Sequence, residues 1–383
     1  MSTKTIVVAG HICLDIIPEM RAAGAGAVRR SGGLLVPGSL TECGAATVAT
    51  GGAVSNTGLA LHRLGLAVRL VAKVGDDLFG RGVLAVLGGH DRRLAAGMAV
   101  SRGATTSYSL VVSPPGVDRA FLHCPGANAE FRAADVPDRA LRGAALLHFG
   151  YPTLMRRMYE KGGAESVRLF VRAKRLGLTT SLDMTLPDPA SDSGRIDWRA
   201  FLGRVLPAVD VFLPSIEEIL FMLERPTYER LRRRAGGGDI LPLVDGPLLR
   251  KVAGEILGLG AAVAVVKLGH RGLYVRTTGD RRRLAAMGAC APRDVAAWLD
   301  RECAAPCFRV KVAGTNGSGD CTIAGFLAGL VRGLPAEEAA RMAVAVGACS
   351  VEAADAWSGV RQWDAVRRRI ASGWRQRPST IRL

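Results

Sequence analysis

Residues 314–330 read Gly-Thr-Asn-Gly-Ser-Gly-Asp-Cys-Thr-Ile-Ala-Gly-Phe-Leu-Ala-Gly-Leu, a glycine-punctuated turn that runs directly into an apolar helix. Gly317 and Gly319 let the backbone turn tightly and approach a ligand with no Cβ in the way. The first amides of such a helix have no intrahelical partner, and the aligned peptide dipoles add partial positive charge. Gly317, Ser318 and Gly319 therefore form a hollow suited to phosphate. Asp320 stands in the first turn of that helix. A donor-lined hollow stabilises charge on a migrating phosphoryl group, while the adjacent carboxylate takes the proton of an attacking hydroxyl. The plainer alternative is a carboxylate that merely complements the helix dipole. The chain holds no Gly-x4-Gly-Lys-Ser/Thr loop, so the chemistry is not that of a P-loop kinase.

The elements that must position these groups alternate in type. Short β-branched runs predict strands at 6–9, 68–74, 145–150, 178–183, 211–214 and 263–268. Longer amphipathic or apolar stretches predict helices at 54–64, 78–87, 165–176, 216–223, 321–331, 336–354 and 362–370. Strands that alternate with helices imply a mostly parallel sheet covered on both faces. Two segments break the alternation, 12–50 and 106–124. They are rich in Gly, Val, Ser and Thr without an intervening helix, and they suggest antiparallel strands forming a small β-flap over a cleft. Residues 276–308 look like a polar, basic insertion. The whole is expected to be one domain spanning 1–383.

Six short motifs now fall into order: Gly10-His11-Ile12-Cys13-Leu14-Asp15, Gly51-Gly52-Ala53-Val54-Ser55-Asn56 with Leu64-Gly65, and Val74-Gly75-Asp76-Asp77-Leu78-Phe79-Gly80 come first. Gly126-Ala127-Asn128, Val266-Lys267-Leu268-Gly269-His270-Arg271-Gly272 and the 314–330 stretch follow. Together they resemble the PfkB/ribokinase family of carbohydrate kinases over roughly 5–359. The resemblance implies a three-layer α/β/α fold with a mostly parallel central sheet and a small β-sheet lid, with ATP as donor and Mg²⁺ as its partner. It makes Asp320 the base and the Gly317, Ser318 and Gly319 amides the anion hole. Asp15, Gly51, Gly52, Asn56 and Asn128 are its acceptor-binding positions; Lys267, Gly269, Gly272 and Ser215 lie on the nucleotide side, and Glu218 organises Mg²⁺-bound water. Each has a plainer alternative: Asp15 as a turn residue, Asn56 as a helix-start polar group, Glu218 as an exposed helix glutamate, Lys267 as a strand-end lysine in water. The chain departs from the family pattern at Gly314 (usually Asp), Ser318 (usually Ala) and Ser215 (usually Asn). Ser318 still offers its amide, whereas Ser215 makes fewer hydrogen bonds than Asn. Asp183 stands where some sugar-acid kinases carry Asp-x-Asn-x-Arg, but Met184, Thr185 and Leu186 follow it.

A net charge of +17 over 383 residues invites a nucleic-acid reading. The arginines are scattered in short groups such as Arg29-Arg30, Arg232 to Arg234 and Arg281 to Arg283, without a recognition motif or interleaved aromatics. A solvated basic surface that attracts anionic substrates is the expectation, with no nucleic-acid partner. No apolar run is long enough to span a bilayer, and no secretory leader stands at the start. The reading is a cytoplasmic protein with no membrane partner. Eight cysteines are expected to be free thiols, and Cys303-x3-Cys307 is too loose a pair for a metal site. The resemblance also allows a homodimer through the lid. Its rivals are a nucleoside kinase of the same fold, for which the lid offers mainly Tyr108 and Phe121, and a catalytically silent sugar- or nucleotide-binding protein.

Overall fold

A computed structural model of the chain describes residues 4–20, 40–113 and 120–383. Arg29, Arg30 and part of the 12–50 flap segment lie outside the described residues. A nine-stranded sheet forms the centre. Its strands are β1 (Thr5–Gly10), β4 (Ala67–Gly75), β5 (Met98–Ser101), β8 (Ala144–Gly150), β9 (Thr179–Asp183), β10 (Val211–Phe212), β11 (Val263–Lys267), β12 (Leu273–Thr277) and β13 (Glu302–Ala305). The remaining strands, β2 (Cys13–Pro18), β3 (Ala46–Gly51), β6 (Tyr108–Val112) and β7 (Ala120–Cys124), make a separate four-stranded sheet in the order β3-β2-β6-β7. They fall inside the two flap segments; β2-β3 and β6-β7 pair antiparallel as expected, but β2 and β6, which join the two segments, pair parallel, so the sheet is mixed.

Alternation along β1 shows how three layers arise. Ile6 and Val8 belong to one buried apolar cluster, Val7 and Ala9 to another, because successive side chains point to opposite faces. The first cluster packs against α1 (Ala53–Arg63), α2 (Leu78–His90), α7 (Ser318–Val331) and α8 (Ala336–Ser350). The second packs against α3 (Arg156–Arg175), α4 (Trp198–Val205), α5 (Ile216–Leu223) and α6 (Gly246–Gly258). A final helix, α9 (Trp363–Ala371), leans on α8. Both faces are covered, as the near-continuous apolar strands require.

Strand order is β13-β12-β11-β10-β9-β8-β1-β4-β5, parallel except at β11-β12 and β12-β13. Chain order reverses beside β1, which sits between β4 and β8. Ligands in open α/β sheets bind outside the carboxyl ends of the strands at such a switch point. Gly10 and Gly150 end β1 and β8 there, so close that a Cβ on Gly10 would lie 2.3 Å from the Gly150 carbonyl oxygen.

Several boundaries differ from the sequence expectation. The helix expected at 165–176 begins at Arg156, interrupted where Lys161, Gly162 and Gly163 take left-handed backbone angles (φ 52, 62 and 75°). That break hides its first turn from any periodicity argument. The helix expected over 336–354 stops at Ser350. Residues 276–308, set apart as an insertion, instead close one edge of the main sheet: Val275 pairs with Cys303 and Leu273 with Ala305. Antiparallel pairing needs no crossover helix, so this edge gave no alternating signal.

Candidate active site

The carboxyl ends of the strands bring the site together. β1 leads to His11, β8 to Tyr151, β9 ends on Asp183, β10 leads through Pro214 to Ser215, and β11 ends on Lys267. Gly317 enters α7 with left-handed angles (φ 63°, ψ 4°), and Asp320 follows in the first turn, 3% exposed. Its side chain reaches across to α1. Asn56 Nδ2 donates to Asp320 Oδ2 at 3.0 Å, and Thr57 Oγ1 donates to Oδ1 at 3.3 Å. Tyr151 Oη lies 2.9 and 3.0 Å from the two carboxylate oxygens, so its proton bridges them. Burial pushes the Asp320 carboxyl above the ordinary aspartate range. The Asn56, Tyr151 and Thr57 hydrogen bonds and the Lys267 charge pull it back.

Lys267 sits on the other side of the helix entrance. A Cβ on Gly319 would lie 3.9 Å from its Nζ. Nζ is bound to Asp183 Oδ1 at 2.6 Å, in a pair whose side chains are 12% and 0% exposed. Burial alone would lower the pKa of the lysine. The surrounding Asp183, Glu218 and Asp320 carboxylates more than offset this and hold it cationic. A fixed positive charge thus lies beside the entrance of α7, where the Ser318 amide donates to the Thr315 carbonyl at 3.4 Å. It is not a strand-end lysine in water.

The positions expected to bind the acceptor come from α1, the lid and the short turn Gly126–Glu130. Gly51 has no room for a side chain, since its Cβ would lie 2.2 Å from Asp15 Oδ2. Gly52 combines φ 86° with a Cβ site 2.5 Å from His11 Nδ1. Asp15 is 7% exposed and accepts a hydrogen bond from Cys13 Sγ at 3.2 Å. Asn128 is fully buried and donates from Nδ2 to the Ile12 carbonyl at 2.7 Å, so half of the side chain is a strut for the β1–β2 turn. Asn56 Oδ1, Asn128 Oδ1, His11 Nδ1 and Asp183 Oδ2 are all buried without a partner. Buried polar atoms are normally paired, and four orphans near one sheet end are what a polar ligand would satisfy.

Ser215 and Glu218 also have a structural occupation. Ser215 caps α5: its Oγ accepts from Glu218 N at 3.3 Å, while Glu218 Oε2 accepts from Ser215 N at 2.6 Å. This reciprocal capping box accounts for both side chains and leaves Glu218 one oxygen. Ser215→Ala should therefore destabilise the fold by about 1 kcal/mol, read from urea denaturation midpoints, whereas Ser215→Asn should be close to neutral. Gly269 and Gly272 flank a short turn with φ 50° and 104°, and a Cβ on Gly272 would meet the Ala305 carbonyl at 2.1 Å. Beside that turn lies an open hollow of about 720 Å³ lined by His270, Arg271, Arg309, Val310 and Arg377.

Tyr151, Thr57 and His11 were not anticipated as site residues. Only Gly150, ending a strand just before an aromatic, hints at Tyr151. Nothing local predicts its left-handed backbone (φ 64°).

The geometry is that of a phosphotransferase site on a doubly wound α/β sheet with a lid. Residues 6–362 match the pfkB family carbohydrate kinases, and the chain belongs to that family. It is 25% identical to probable fructokinase-7 of Arabidopsis thaliana over 380 residues, covering 97% of this chain and 94% of the relative. It is 29% identical to fructokinase-1 of Zea mays over 244 residues, 60% and 69% of the two chains. Among solved structures, the ATP-bound fructokinase of Xylella fastidiosa superposes with a TM-score of 0.69 at 19% identity, covering 97% of this chain and 99% of that one. The ribokinase of Arabidopsis thaliana complexed with ribose and ATP superposes at 0.68 and 17% identity, covering 96% and 98%. The chain is a carbohydrate kinase with a ribokinase fold. Among the described residues, no helix is long and apolar enough to cross a membrane.

Proposed function

We propose that the chain transfers the γ-phosphoryl group of ATP to a hydroxyl of a small sugar, with Asp320 as general base. The observation that carries this is the position of Asp320, at the mouth of α7 and hydrogen-bonded to Asn56 from the acceptor side. The acceptor hydroxyl takes the place of the Tyr151 proton on the carboxylate. Its own proton passes to Asp320 as its oxygen attacks phosphorus, and the bond from phosphorus to the ADP oxygen breaks. The Gly317, Ser318 and Gly319 amides and Lys267 stabilise the charge on the transferring group. Asp15, Asn56 and Asn128 Oδ1 bind further hydroxyls, and the hollow beside Gly269 and Gly272 receives the nucleotide.

Mg²⁺ prefers oxygen ligands and keeps several waters. The spare Glu218 oxygen and the unpartnered Asp183 Oδ2 fit it. When bound, the ion would neutralise phosphate charge. On the lid, Val48 and Leu122 are 53% and 52% exposed and support pairing of two copies through that sheet. The absence of a spanning helix from the described residues is compatible with cytoplasmic placement.

ADP release measured with ATP, Mg²⁺ and a panel led by fructose and ribose tests this reading. At least one sugar should raise release well above the sugar-free rate; background rates for every sugar and nucleoside would instead favour a silent binding protein. The pH profile gives a second check. Asp320 must be ionised to act, and burial raises its pKa, so activity should fall as pH drops through a value above the ordinary aspartate range. Tyr151→Phe removes a hydrogen bond that favours the carboxylate, and should move that acid limb of kcat/KM to still higher pH.

A further inference from the structure

Beside the proposed acceptor residue Asp15 lie His11, Cys13 and His123, to which the proposed phosphoryl transfer assigns no role. Antiparallel pairing sets Ser109 opposite His123, and Asp15 lies beside Ser109 in the parallel pair. Cys13 is two residues from Asp15 and so shares its face of the sheet. His11, at the end of β1, completes the group from the body of the protein. His11 Nε2 and His123 Nε2 face each other at 3.3 Å. One ligand atom from each of His11, Cys13 and His123 lies within 4.8 Å of the others.

We infer that His11, Cys13 and His123 form a binding site for one zinc-class divalent cation that joins the lid to the end of β1. The chemistry is that of a soft or borderline metal, two imidazoles and a thiolate. Tetrahedral coordination with Zn–N bonds of about 2.0–2.1 Å separates two ligand nitrogens by about 3.3 Å, the spacing already present between the two Nε2 atoms. The sulfur must approach further, and it gives up its proton to the solvent as the metal binds. His123 also has the outer partner expected of a metal-binding imidazole: its Nδ1 lies 3.0 Å from Ser109 Oγ. His11 Nδ1, buried and unpartnered, faces Gly52 on the acceptor side, where a sugar hydroxyl would complete it. Mg²⁺ favours oxygen ligands and would not displace the bound ion.

The test is independent of the kinase reading. The full chain, stripped with chelator and kept reduced, is titrated with Co²⁺ and, by competition with a chromophoric chelator, with Zn²⁺. One equivalent should bind, with tetrahedral visible bands and a thiolate-to-cobalt charge-transfer band. Cys13→Ser should abolish the charge-transfer band. His123→Gln, a change on a lid strand, should weaken Zn²⁺ by more than the roughly 10–100-fold that Ser109→Ala costs through loss of the outer partner. Circular dichroism must show each variant folded; if Cys13→Ser is not, His123→Gln and Ser109→Ala decide the matter. Absence of stoichiometric binding, a charge-transfer band that survives Cys13→Ser, or wild-type affinity in His123→Gln would overturn the inference and leave the two histidines as a simple hydrogen-bonded pair.

Discussion

Asp320→Asn is expected to lower kcat by about 10²–10⁴-fold, the usual contribution of a positioned general base, while the dissociation constant for ATP stays within a few-fold of wild type. The substitution is nearly isosteric, and the new amide oxygen can still accept from Asn56. Packing around α7 should therefore survive, and the loss can be assigned to proton transfer. In the proposed mechanism the phosphate is held by backbone amides and Lys267 rather than by the carboxylate, so nucleotide affinity should not collapse. Steady-state ADP release together with nucleotide titration separates the two effects. A comparable fall in both would mean that Asp320 organises the helix entrance rather than the chemistry.

The second large effect falls on stability. Lys267→Ala leaves the Asp183 carboxylate, 0% exposed, without the ammonium now 2.6 Å away. Removing one partner of a buried pair costs about 3–5 kcal/mol, because the remaining charge is stranded in a poorly solvating interior. The urea midpoint of Lys267→Ala should drop accordingly. Adding Asp183→Asn should recover a large part of the loss without restoring activity, since the stranded charge is gone but the cation proposed to face the phosphate is still missing. Equal midpoints for the single and double variants would show that the two side chains do not depend on each other.

Much of this site was legible in the chain itself, for identifiable physical reasons. Gly317 and Asp320 could be placed because a glycine turn opening onto an apolar run has one local outcome, and the helix mouth found at Ser318 is that outcome. Asn56 was likewise placed by the helix that follows Gly52, and its bond to Asp320 spans 264 residues that no periodicity could bridge. What escaped was set by tertiary packing. Tyr151 takes a left-handed backbone at the end of β8, and only there can its hydroxyl reach Asp320. Lys267 could be read as a cation near phosphate, but its partner Asp183 lies on a strand two places away across the sheet. Ser215 carries a further local signal: its Ser-x-x-Glu spacing is a capping box written in the sequence, which stands beside the expected nucleotide-side role. Residues 276–308 were polar enough to look like an insertion, yet they close a sheet edge by antiparallel pairing and bury Leu284, Met287, Trp298 and Phe308 in the core.

Transfer of label from [γ-³²P]ATP to a sugar in a single turnover, followed by rapid quench, reaches the central claim most directly. In wild type the label should appear on the acceptor hydroxyl at a rate that accounts for ADP formation, and in Asp320→Asn it should remain on ATP over the same interval. Label reaching the sugar equally fast in both proteins would contradict a carboxylate base at the mouth of α7.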